Sequence, residues 1–161
     1  MHSAGEVSST DIRDQLRRDH QVALAELEAL RHESDHHRSH ELLARLRRSW
    51  MIDTLSKESV VYRAIEGLES ATESSADLRF VAHELVDGLF EKLSHLRVGT
   101  PEWQARLNVA REIIMRLIES EYEEVFGKLG ERYDAEGLAK LAENFESTRA
   151  KLTMLEEAKA A

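Results

Sequence analysis

Apolar residues recur at steps of three and four through almost the whole chain. Ile12, Leu16, Ala23, Leu27 and Leu30 form one such row, and Leu107, Ala110, Ile114, Leu117 and Val125 form another. That spacing places each row on one face of an α-helix, whereas a half-buried strand would alternate at every second residue. No such alternation survives a count. One proline and seven glycines in 161 residues leave few places where a helix must break. The chain therefore reads as all-α.

Five helical segments follow from these rows and their end signals. The first starts at Thr10 or Asp11, either of which can accept a free backbone N–H, and ends in the polar run Arg31 to Arg38. The second runs from about Ser39 to Ser70 with Leu43, Leu46, Trp50, Val60, Ala64 and Leu68 on one face. Ser74 to Asp77 start a third, with Phe80, Phe90 and Leu93 inward. Thr100 and Pro101, after Gly99, open a fourth, since proline suits the first helical position, and Gly130 is expected to stop it. Asp134 caps a fifth that carries Leu138, Leu141, Phe145, Leu152 and Leu155. Short connections suit antiparallel neighbours, so the expected architecture is an antiparallel up-down-up-down four-helix bundle with an additional C-terminal helix. Residues 1–9 are expected to be flexible and 10–130 to form the bundle. The segment 131–161 would pack on the bundle or on a partner chain, which allows a homodimer.

Composition narrows the function classes. Hydrophobic residues at 42% supply one core, and charged residues at 33% solvate its outside. With 22 Lys plus Arg against 31 Asp plus Glu, the basic residues are scattered among acidic ones, so neither nucleic acid nor a membrane surface is an expected partner. The absence of cysteine excludes disulfides, zinc–thiolate sites and iron–sulfur clusters, leaving any metal to His, Asp and Glu. Met1 to Ser9 has no cationic start and no apolar run, and no apolar stretch approaches the ~18 residues of a membrane span, so a cytoplasmic protein is expected.

Extending each row through its own spacing brings ionisable residues to positions that should be apolar. His20 completes the first row, Asp53 and Lys57 fill the second between Trp50 and Val60, His83 and Asp87 the third, and Glu121 the fourth. An unpaired charge taken out of water costs several kcal/mol, comparable with the net stability of a whole domain of about 5–15 kcal/mol. Six such residues in four helices must pair with one another or hold something.

At Leu16-Arg17-Arg18-Asp19-His20, at Lys57-Glu58-Ser59-Val60-Val61-Tyr62-Arg63-Ala64 and at Glu119-Ser120-Glu121-Tyr122-Glu123-Glu124-Val125-Phe126 the chain resembles the hemerythrin-like, HHE cation-binding family. The resemblance covers about residues 10 to 130. It implies an antiparallel four-helix bundle whose core, in complete members, holds two carboxylate-bridged irons. By the same resemblance His20, His83 and Glu121 stand at ligand positions, and Asp87, four residues after His83, is a further candidate. The second-helix motif of the family, His followed four residues later by Glu, reads Asp53 and Lys57 here, and the fourth-helix histidine reads Leu117.

Lys57 and Leu117 alter the implied site, the first by replacing a carboxylate with an ammonium, the second by removing a nitrogen. His20, Asp53, His83, Asp87 and Glu121 would still suffice for one iron, manganese or zinc. Alternatively Lys57 neutralises Asp53, Asp87 and Glu121 in a metal-free polar core. Three functions follow: a binding or sensing protein with one metal or none, holding a metal or small-molecule ligand; a mononuclear non-haem iron or manganese protein in oxygen or peroxide chemistry, with Tyr122 as a redox-active neighbour; or a metal-free interaction module. His32, His36, His37 and His40 in the first connection could bind a surface metal or form a solvated loop.

Overall fold

The computed structural model describes residues 10–68 and 75–161 of the chain. The expected flexible N-terminus, Met1 to Ser9, lies outside the described residues, as do Ser70 and Ser74. Six α-helices and two π-helical segments make up these residues: α1 (Ile12–His32), α2 (His36–Ser56), α3 (Ser75–Ser94), α4 (Pro101–Ser120), α5 (Phe126–Arg132) and α6 (Ala135–Ala160). Lys57–Tyr62 continues α2 as a π-helix, and Glu121–Val125 joins α4 to α5 in the same way. No strand occurs among the described residues.

The helix starts follow side-chain caps. Asp11 accepts the Arg13 N–H at 2.8 Å and starts α1. Asp35 accepts the Arg38 N–H at 2.8 Å, so α2 begins at His36 and not at Ser39, and His36 and His37 are helical. Gly99 turns the chain with φ 80°, a left-handed conformation that a side chain resists, and Thr100 then caps α4 by accepting the Trp103 N–H at 3.2 Å. Asp134 accepts the Gly137 N–H at 2.9 Å and starts α6. Gly130 does not end a helix: α5 runs on to Arg132 and stops where Tyr133 becomes extended.

Each π segment takes in one residue more than an α-turn would, and the inward row shifts with it. Beyond Lys57 the buried residues are Val61, Ala64 and Ile65, while Val60 is only partly buried and Leu68 is exposed. In α3 the inward row is Arg79, His83, Val86, Phe90 and Leu93, at steps of four and three. Phe80, expected inward, is one position off that row and 59% exposed.

Helix α1 packs on α2 and α4, α2 on α3, and α3 on α4, which closes a ring of helices. Neighbours run antiparallel, as when Arg47 of α2 meets Asp87 of α3 while His40, earlier in α2, reaches the Leu96 carbonyl beyond the end of α3. Helix α6 lies against α1, α2 and the first π segment, so the C-terminal helix covers its own bundle.

The core falls into two apolar clusters. One gathers Leu27, Leu43, Trp50, Phe90, Trp103 and Ile114, and the other Ile12, Leu16, Val61, Val125, Phe126 and Phe145. Along α1, α2 and α4 alike, one cluster gives way to the other at a buried polar residue: His20, Lys57 and Glu121. The polar layer thus sits at mid-bundle, walled by apolar packing on both sides.

Candidate functional site: a lysine buried between carboxylates

Lys57 and Glu121 are both the first residue of a π segment, and the two segments bring them together across the core. The Lys57 Nζ lies 3.1 Å from Glu121 Oε1, 3.2 Å from Glu121 Oε2 and 3.1 Å from Asp53 Oδ2. Burial alone would push the Lys57 pKa down; the Asp53 and Glu121 carboxylates more than reverse that and hold the ammonium protonated above its ordinary range. For Glu121 burial pushes the other way, upward, but Lys57, the His20 hydrogen bond and Tyr62 bring the pKa down to about 2. Lysine and glutamate are therefore a charged, mutually satisfied pair.

Both oxygens of Glu121 are taken. Tyr62 Oη donates to Oε1 at 2.6 Å, and the Nε2–H of His20 donates to Oε2. The ionised carboxylate accepts only, so the His20 proton resides on Nε2, and the buried Nδ1 has no hydrogen-bond partner among the described residues. Burial and then the Glu121 charge push the Tyr62 pKa well up, which keeps the phenol a donor.

Asp53 lies toward the surface, where α6 reaches it. Arg149 Nη2 donates to Asp53 Oδ1 at 3.2 Å and also bonds Asp19, while its guanidinium lies 4.6 Å over the Phe145 ring. The fifth helical rod thus closes the open side of the charge cluster with a second cation.

Of the residues expected here, His20, Asp53, Lys57 and Glu121 meet. His83 is buried but stands apart, with Nδ1 3.9 Å from Glu58 and its ring edge-on to Trp50 at 5.4 Å between centroids. Burial first, then the positive charge of Lys57, lower its pKa to about 4. Asp87 does not belong to the cluster: its side chain is 54% exposed and paired with Arg47 at 3.2 Å, because the α3 face that holds His83 turns Asp87 outward. Leu117 is buried in the apolar cluster that ends at Glu121. His36 and His40, expected in the first connection, lie in α2: the His40 Nε2–H donates to the Leu96 carbonyl at 3.2 Å, and the His36 ring is 4.6 Å from the His40 ring.

Three participants escaped the sequence reading. Tyr62 is five residues after Lys57, a spacing that shares a face only on a π-helix. Arg79, buried with its guanidinium 4.7 Å over the Tyr62 ring, sits four residues before His83, on the inward row, beside the apolar Phe80 that a hydrophobicity count selects instead. Arg149 follows Phe145 by four on α6 and could have been found by extending that row.

The donor set does not fit a metal ion. Among the described residues no three His, Asp or Glu side chains converge to hold one. The point equidistant from Asp53 and Glu121 is filled by an ammonium that both carboxylates keep charged. Nor does any helix among the described residues have the length and apolarity to cross a membrane. No family model, curated protein or solved structure matches the chain.

Proposed function

We propose that the chain is a degenerate hemerythrin-like bundle in which a lysine-centred ion-pair cluster replaces the metal centre, and that it acts as a small binding or sensing protein. The observation that carries this reading is the Lys57 Nζ at 3.1 Å from both Asp53 and Glu121. An ammonium there supplies the positive charge that a metal would otherwise provide to the same carboxylates. Further support comes from the antiparallel ring of helices and from His20 and Glu121 meeting at mid-bundle.

The alternative, mononuclear iron or manganese in oxygen or peroxide chemistry, draws on Tyr122, whose ring stands edge-on to His20 at 5.3 Å between centroids. It requires Lys57 to lose its proton or leave the cluster, which Asp53 and Glu121 both oppose. A metal-free interaction module would keep the same core and differ only in what the surface binds.

Elemental analysis of protein purified from iron- and manganese-replete cells tests the reading. The expected content is well below one metal per chain, with no oxo-bridged di-iron absorption in air. One or more tightly held metals per chain, lost in Glu121→Gln, would overturn it.

A further inference from the structure

A groove of about 550 Å³ opens between α2 and α3, with Glu156 of α6 at its edge. Its walls include Leu43, Met51, Leu55 and Phe80, and Trp50 and His83 line its inner part. Its volume falls in the range of small-molecule sites, and its exposed wall is mostly apolar with charged residues among it. Leu55 and Phe80 are exposed at its rim, 40% and 59%.

The polar groups of the groove are unevenly matched. Glu58, Glu84, Asp87 and Glu156 line it against Arg47 and Arg48. Arg47 is already held by Asp87 and Glu91, and Glu156 by Lys159 at 2.7 Å. Glu58, about one-third exposed, has as its closest charge-bearing neighbour the His83 Nδ1 at 3.9 Å, and burial keeps that imidazole neutral at physiological pH. Two buried groups of residues that line the same groove, His83 Nδ1 and Trp50 Nε1, have no hydrogen-bond partner among the described residues. A carboxylate with no Lys or Arg partner thus lines a groove that Trp50, Met51, Leu55 and Phe80 also line.

We propose that this groove binds an apolar organic amine, with the ammonium at Glu58 and the hydrocarbon body along Met51, Leu55 and Phe80. The ammonium would gain a charge-assisted hydrogen bond to Glu58. An apolar acid of the same shape would meet Glu58 as a like charge. The inference is independent of whether the core holds a metal, since none of its binding groups belongs to the Lys57 ion pairs.

Calorimetric titration of the full chain with 2-phenylethylamine, and with 3-phenylpropionate as the anionic counterpart, tests it. Saturable amine binding with a Kd below about 1 mM is expected, with no measurable binding of the acid. Glu58→Gln should weaken the amine at least about tenfold, the equivalent of one charge-assisted contact. Phe80→Ser, at an exposed position that leaves the fold intact, should weaken it as well. No saturation by about 10 mM, equal binding of the acid, or unchanged affinity in both variants would overturn the proposal.

Discussion

Lys57 and Glu121 are separated by 64 positions in the chain, yet each begins a π-helical segment, and their side chains meet at 3.1 Å in the middle of the bundle. The extra residue in each segment changes which side chains point inward. It lets Lys57 and Tyr62, five residues apart, both reach Glu121. The local departure from α geometry is thus tied to the one place where the core is charged.

Lys57→Met removes the cation and leaves Asp53 and Glu121 facing each other. The expected cost is on the order of 3–5 kcal/mol, as for breaking a buried pair from one side. Adding Glu121→Gln to that variant should return part of the loss, because it removes the stranded charge. Urea melts of the single and double variants check both, and a single-variant loss below about half a kcal/mol would place Lys57 in solvent.

Tyr62→Phe deletes one hydrogen bond to an ionised carboxylate while keeping the ring. A loss of about 1.5–3 kcal/mol is expected. The same melts measure it, and a neutral result would mean that water takes over the Glu121 oxygen without cost.

Stability should fall with acid in two stages. His83 is neutral in the fold down to pH about 4 against 6.5 in the unfolded chain, so between those values the unfolded state binds the extra proton and stability drops as pH falls. Glu121, with a folded pKa of about 2 against 4.5, adds its loss as pH falls below the ordinary carboxylate range. His83→Phe should flatten the first stage, whose full size is about 3 kcal/mol, and leave the second. Denaturant midpoints from pH 7 to pH 3 separate the two.

Lys57→Glu exchanges the central cation for a third carboxylate beside His20. Without metal the variant should melt lower than the parent chain, and Mn²⁺ or Zn²⁺ should raise its melting temperature with concentration, since a ligand that binds only the folded state stabilises it. The parent chain should show no such rise. An equal rise in both would indicate a metal site away from Lys57.

Local sequence was enough for the helices and for most of the polar layer. Step-of-three-and-four rows depend only on helix geometry, so the rows through Leu16 and His20, and through Leu117, Glu121 and Val125, are legible without any neighbour. The caps at Asp11, Thr100 and Asp134 are equally local, because each side chain bonds a backbone N–H within three residues. The same counting went astray where it assumed 3.6 residues per turn throughout. It put Val60 and Leu68 inward past the π segment, and it ranked Phe80 over Arg79 because it judged a face by apolar character.

Packing between helices decided the rest. Asp87 fits the α3 row by spacing, but Arg47 of α2 offers it a partner in solvent, where an ion pair avoids desolvation. Whether Lys57 is a solvated charge or the centre of a buried cluster depends on Glu121, just past the end of α4, being held opposite it, and on Arg149 of α6 closing the side. Asp53 is four residues away, but Glu121 and Arg149 are distant in the chain, and a buried charge is tolerable only when its partners are in place at once. Periodicity can announce that a charge faces inward; only the assembled bundle determines what meets it there.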